Sequence, residues 1–390
     1  MGSLGVSVYP DLRPLDEIAD YLQRAAQAGC KRVFSSMFSV EGTNEEIIDY
    51  FVRFNKAVHD CGMEVALDVN TVFLARLGCA PDNVDLFAEI GCDTIRMDGS
   101  FGQEGDLVLC RNPHGIKVEL NASAGALKEL DYLASNGVGP DVLSLGHNFY
   151  PQRWTGLKWS TFVETNTKLA AYGYPLEAFV SSQAPGTHGV WDAREGLPTV
   201  ERLRDYPADL QARIMLATPG VTNITFGNAY ATDEELAAVA AVYEPARRVE
   251  DSPAYEALCS WGIAPAQPER EIMLKVVPDP DITDEERYML FEMYPQADYG
   301  DSSEWIWRSR SGRLFQRADI VPRPVEGETF ATGDVVMVNA NYRHYMGELQ
   351  VVRIPIANDG QRNRVGHLAP HEEDLLALIG DGESVRFVEA

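Results

Sequence analysis

Over the first two-thirds of the chain, short apolar runs alternate with polar turns and with longer stretches whose apolar positions recur every third or fourth residue. The runs Leu4–Tyr9, Arg32–Ser35, Glu64–Asp68, Thr94–Asp98, Lys117–Asn121, Val142–Gly146, Ala178–Ser181 and Asn223–Phe226 read as strands. Leu15–Ala28, Asn44–Cys61 and Ala124–Ser135 carry the helical period. Pro14, ahead of Leu15-Asp16-Glu17, marks a helix start with acidic residues in its first turn. Strand–helix units spaced about 24 to 45 residues apart, eight in all, predict a parallel sheet closed as a (β/α)8 TIM barrel over residues 1–263. An open doubly wound sheet is the competing architecture. It would gather polar residues at one crevice, whereas here they end nearly every run.

The pattern changes after residues 264–270, Ala-Pro-Ala-Gln-Pro-Glu-Arg, which have the composition of a linker. Beyond it Glu271–Val277, Glu304–Arg308, Asp334–Asn339, Glu348–Ile354 and Ser384–Val388 alternate or are β-branched, with Gly, Pro and Asn between them. Residues 271–390 are therefore expected to form a compact, mainly β domain.

Composition narrows the possible partners. With 45% apolar and 24% charged residues the chain is ordinary globular material. Its 33 basic and 59 acidic residues leave a net charge of −26, a field that repels phosphate backbones and anionic membranes. Nucleic-acid and membrane partners are disfavoured, and an anionic small substrate would need its own local cations. Cys30, Cys61, Cys79, Cys92, Cys110 and Cys259 lack C-x-x-C spacing and read as buried apolar residues. The opening residues enter a strand directly, without an export signal, which points to the cytoplasm.

In a barrel of this type the strand C-termini face the active site. Those ends offer Tyr9 and Asp11, Ser35 and Ser36, Asp68 and Asn70, Arg96 and Asp98, Glu119 and Asn121, His147 and Asn148, Ser181 and Ser182, then Asn228. Because side chains alternate, Arg96 and Asp98 share one face, as do Glu119 and Asn121. If that face is the interior, Asp68, Asp98 and Glu119 converge on Arg96. Crowded carboxylates split into one with a raised pKa and one that stays charged, the requirement for paired acid and base roles. For Glu119 the plainer reading is an internal ion pair with Arg96. The loop His147-Asn148-Phe149-Tyr150-Pro151 through Arg153 interleaves polar and aromatic groups, which suits a sugar. Thr232-x-x-Glu235 is a capping box after the eighth strand, where such barrels often hold phosphate. No lysine ends a strand, which argues against Schiff-base chemistry.

Taken together, Gly5-Val6-Ser7-Val8-Tyr9-Pro10-Asp11, Leu120-Asn121-Ala122-Ser123, His147 to Pro151 with Thr155-Gly156-Leu157, and Glu195-Gly196-Leu197-Pro198-Thr199-Val200-Glu201 resemble the 6-phospho-N-acetylmuramidases, bacterial glycoside hydrolases of peptidoglycan recycling. Asn341-Tyr342 through Tyr345-Met346-Gly347-Glu348-Leu349-Gln350 is similar to that family's C-terminal cyclophilin-like domain. The resemblance spans the whole chain. It implies a small-molecule sugar phosphate substrate and exo-hydrolysis of the β-1,4 bond between N-acetylmuramic acid 6-phosphate and N-acetylglucosamine.

Glycoside hydrolysis needs an acid for the leaving oxygen and a second carboxylate. Asp68 and Asp98 are the expected pair, with Glu119 or Glu195 as alternatives. Tyr9, Asp11, Arg96, Asn121, His147, Asn148, Tyr150, Arg153, Glu195, Asn228 and Arg308 are the expected substrate contacts. This reading requires no cofactor or resident metal. Two other classes remain open: a metal-dependent isomerase or phosphodiesterase with Asp68, Asp98 and His147 as ligands, and a non-catalytic sugar-phosphate-binding protein.

Overall fold

The computed structural model describes residues 2–9, 13–124, 127–252, 254–260, 267–268 and 270–390. The chain divides into two compact units, Met1–Tyr243 and Glu244–Ala390. Of the expected linker, residues 264–266 and 269 lie outside the described residues.

The first unit is a closed barrel of eight strands: β1 (Leu4–Ser7), β2 (Arg32–Ser36), β3 (Glu64–Val69), β4 (Thr94–Met97), β5 (Lys117–Asn121), β6 (Leu143–Gly146), β7 (Leu176–Val180) and β8 (Val221–Phe226). Each pairs in parallel with the next, and β8 closes on β1. The open-sheet alternative is excluded. All four residues of β1 and all five of β2 and β7 are buried, as expected of strands covered on both faces. Helices Leu15–Gln27 and Asn44–Asp60 follow β1 and β2 and bury their apolar stripes, for example Ile18, Tyr21, Leu22 and Ala25 in the first.

Pro14 caps the helix that begins at Leu15, as expected, with an extended ψ of 152°. One barrel strand shifts by a residue or two. β7 stops at Val180 because the Ser181 N–H leaves the ladder for Gln211 Oε1 at 2.8 Å. The capping box predicted at Thr232 and Glu235 is present.

The second unit centres on a seven-stranded sheet. Its order is Gln296–Ala297, Ser384–Glu389, Ile272–Pro278, Arg362–Leu368, Asp334–Val338, Leu349–Val352 and Ile306–Ser309. All neighbours are antiparallel except Ser384–Glu389 beside Ile272–Pro278. The strand Arg362–Leu368 and the helix Asp284–Phe291 were not foreseen. The helix was readable, since Thr283 and Glu286 form a capping box. The strand was not, because its polar Asn363 is buried by partners from elsewhere in the unit, Glu286 Oε1 (2.8 Å) and the Val321 carbonyl (2.9 Å).

Candidate active site at the barrel rim

Asp68 stands at the C-terminal end of β3 and Arg96 on β4, paired in register, and Asp98 follows β4 directly. One guanidinium nitrogen, Arg96 Nη1, donates to Asp68 Oδ1 and to Asp98 Oδ1, each at 2.8 Å. Arg96 Nη2 donates to Asn148 Oδ1. Arg96 and Asp68 are buried, whereas the side chain of Asp98 is 43% exposed. All four residues line a cavity of about 180 Å³ whose other walls are Phe34, Phe38, Phe149, Pro151, Phe179 and Trp191. Burial pushes the Asp68 carboxyl up to about 6. The adjacent Arg96 opposes that shift, and the charges of Asp98 and Glu119 add to it. The cavity thus pairs a carboxyl able to hold a proton near neutral pH with a second carboxylate open to solvent.

The apolar wall has its own order. Phe34, Phe149 and Phe179 meet edge to face, with ring centroids 5.2–5.8 Å apart. Tyr9 packs into the same cluster, and its hydroxyl donates to the Gly227 carbonyl at 2.5 Å. Tyr9 is thus buried beneath the site and not a surface for substrate.

A second set of side chains holds the first in place. Asn121 Nδ2 donates to the carbonyl (3.1 Å) and Oδ1 (3.3 Å) of Asp98. His147, expected to touch substrate, is fully buried. Its Nε2–H donates to Asn166 Oδ1 at 2.7 Å, so Nδ1 accepts from the Ser123 hydroxyl at 3.0 Å. Burial drops its pKa to about 4, which keeps it neutral. Ser123 in turn accepts the Asn148 N–H at 3.1 Å and interacts with Tyr150. His147, Ser123, Tyr150 and Asn148 therefore form a chain that ends on Arg96. With both ring nitrogens engaged, the ligand set Asp68, Asp98 and His147 is not assembled. Among the described residues no group of three or more His, Cys, Asp or Glu is placed to hold a metal.

Glu119 departs most from expectation. It makes no pair with Arg96 but faces Arg32, from the start of β2, with Arg32 Nη2 2.7 Å from Glu119 Oε2. Arg32 Nη1 lies 2.8 Å from Glu177 Oε2. Both glutamates are buried. The contacts are close in distance but poorly aligned, and Arg32 Nη2 and both Glu177 oxygens lack a well-formed hydrogen bond. Burial raises the Glu177 pKa, with Glu119 adding to the rise. A Cβ on Gly146 would fall 2.3 Å from Glu119 Oε1, so only glycine leaves room for this carboxylate. Register alone suggested a shared site, because Arg96 and Glu119 are direct neighbours. The reach of Arg32 from the barrel's far end was not visible in the pattern.

The remaining expected contacts divide. Asp11 lies outside the described residues. Arg153 is committed to Asp205 through two hydrogen bonds of 2.7 and 2.9 Å, and its N–H goes to Glu195 Oε2. Glu195 thus ties two loops together. Asn228 is buried and spends its amide on Ser182 and Thr187, knitting β7 and β8 loops instead of meeting a ligand. The helix start at Thr232 is likewise filled, since Glu235 also accepts from Ser182 Oγ and the Gln183 N–H. Arg308 belongs to the second unit and pairs with Asp301 and Glu348. Sequence reading missed Phe38 and Trp191, which line the cavity, and Arg204. That buried arginine donates to the carbonyls of Tyr150, Gln152, Glu195 and Gly196 and so fastens the rim loops.

Comparison with known proteins bears on the family and the fold. A family model described as "6-phospho-N-acetylmuramidase, N-terminal" matches residues 4–241, and its C-terminal counterpart matches residues 272–388. A crystal structure of an uncharacterized B. cereus protein is 28% identical with a TM-score of 0.83, covering 100% of this chain and 99% of that one. A conserved Enterococcus faecalis protein of unknown function is 20% identical with a TM-score of 0.67, covering 99% of this chain and 96% of its own. Its likeness is one of fold. No curated protein sequence matches.

Proposed function

The chain belongs to the 6-phospho-N-acetylmuramidase family, a family of glycosidases, and from that premise we propose that it hydrolyses the β-1,4 bond between N-acetylmuramic acid 6-phosphate and N-acetylglucosamine. The observation that carries this reading is the pair Asp68 and Asp98, held on one arginine at the floor of a rim cavity.

Asp68, with its raised pKa, protonates the glycosidic oxygen as the bond breaks. Arg96 occupies Oδ1, so the transferable proton sits on Oδ2. Asp98 is the carboxylate that faces the anomeric carbon. Both carboxyls reach the same nitrogen at 2.8 Å, and this close placement supports Asp98 as nucleophile in a retaining displacement. The product should therefore keep its anomeric configuration. A sugar phosphate does not cross a bilayer unaided, so we place the reaction in the cytoplasm, as a step of peptidoglycan recycling. Among the described residues no helix is long and apolar enough to cross a membrane.

The deciding experiment incubates purified protein with the phosphorylated disaccharide and with its unphosphorylated analogue. Release of N-acetylglucosamine from the first and not the second is expected. Cleavage of the unphosphorylated analogue alone would overturn the substrate assignment. Ligand binding without turnover of either would leave a non-catalytic sugar-phosphate-binding protein.

A further inference from the structure

Trp191 contradicts its surroundings in two ways. A large apolar side chain, it lines the cavity yet is 66% exposed. Its backbone is also left-handed, φ 56° and ψ 32°, and Asp192 follows at φ 55°. Consecutive non-glycine residues in that region are costly and persist only where the surroundings impose them.

The surroundings do impose them. On either side of the turn Val190 and Ala193 pack into the aromatic cluster beneath the site. The Gly189 N–H donates to the Ala193 carbonyl at 2.7 Å, and the Ala193 N–H returns to Val190 at 3.1 Å. Before the turn, His188 pairs with Ala229 beyond β8. Gly189 lies so close to Leu197 that a Cβ would fall 2.2 Å from its Cδ1. Asp192 is further paired with Arg194 at 2.7 Å. The turn is therefore firmly anchored while its largest side chain faces solvent. Phe38, from the loop after β2, stands 6.5 Å from the indole with the planes tilted by 55°.

A pyranose has an apolar face of C–H groups and a polar edge of hydroxyls, so an exposed indole carried on an anchored turn at a cavity wall matches that face. Of the residues that line the cavity, Asp68 is buried and Trp191 is open to solvent. In exo-cleavage the sugar beyond the scissile oxygen, toward solvent, is the leaving one. We propose that Trp191, backed by Phe38, is the platform on which the leaving N-acetylglucosamine stacks, and so determines what the enzyme accepts on that side of the bond. The inference rests on the function proposed above. Trp154 supplies an internal control. It is also exposed and left-handed, at φ 71°, but it does not line the cavity.

The test compares Trp191→Ala, Trp191→Phe and Trp154→Ala on two substrates: the phosphorylated disaccharide, and the fluoride of N-acetylmuramic acid 6-phosphate, which carries no leaving sugar. Trp191→Ala should lose roughly 10- to 100-fold in kcat/KM on the disaccharide, about the worth of one buried aromatic contact, and nothing on the fluoride. Trp191→Phe should restore most of that loss, and Trp154→Ala should match the parent on both. Equal losses on both substrates, or no loss on the disaccharide, overturn the proposal. A Trp191→Gly variant should melt no lower than the parent, since glycine removes the backbone penalty. Misfolding therefore does not mimic the effect. Should the parent cleave neither substrate, the proposed function falls by itself. The platform is then judged by tryptophan fluorescence titrated with N-acetylglucosamine: a change present in the parent and absent in Trp191→Ala sustains it, and an identical response in both rejects it.

Discussion

Two arginines inside one barrel each hold two carboxylates, and the two sets differ in their access to solvent. Arg32 joins Glu119 and Glu177 toward the N-terminal ends of the strands, where both acids are closed to solvent. Arg96 joins Asp68 and Asp98 at the C-terminal ends, where the cavity opens and Asp98 is partly exposed. The ion pairs are chemically alike, and access separates them. A sealed set can only fill and specify the interior, and replacing such sets by apolar groups is often tolerated in proteins generally. A set with one open carboxylate can exchange protons with a substrate. Buried charge by itself therefore does not identify a catalytic centre in this molecule. The proposed site differs in having its buried charge beside a cavity.

That contrast can be broken experimentally at several levels. The largest effect should come from Asp98→Asn, which removes the exposed carboxylate while keeping its shape. Turnover of the phosphorylated disaccharide should fall by about 10²- to 10⁴-fold with an unchanged melting temperature. Near-parental turnover would remove Asp98 from the mechanism. Next is Arg32→Met, which strands Glu119 and Glu177 without a partner. Urea unfolding should show a loss of about 3–5 kcal/mol, while the folded fraction keeps its kcat. If activity collapsed and stability held, the sealed set would belong to the chemistry.

A smaller effect concerns pH. With Asp68 as the proposed acid, kcat/KM should decline as pH rises through about 6. Glu119 helps hold that pKa up, so Glu119→Gln should move the decline to lower pH while leaving the rate at low pH intact. A pH profile unmoved by the change would show that the two sets are electrically independent. The smallest effect should follow Arg153→Ala. Its bridge to Asp205 is solvent-exposed, and such pairs contribute about 0.2–1 kcal/mol. A loss of phosphate discrimination in that variant would instead make Arg153 a substrate residue.

Much of the fold was legible along the chain, because barrel strands are short apolar runs ended by polar residues, and that signal is local. The placement of β1 to β8, the capping box at Thr232 and the change to a β-rich second unit all belong to it. Asp68, Asp98 and Arg96 were legible for the same reason: a residue at the end of a strand faces the rim whatever its neighbours are. His147, Asn228 and Arg153 carry the same sequence signal, a polar residue after a strand, yet face inward partners or surface carboxylates. Nothing local distinguishes them, since burial and hydrogen-bond partners are supplied by segments 19 to 52 residues away. The chain alone thus determined the barrel's strands and which carboxylates reach the rim. Tertiary packing decided that Glu119 answers to Arg32 and that Trp191 stands in solvent, because side-chain reach and loop anchoring are properties of the assembled barrel and not of any stretch of sequence.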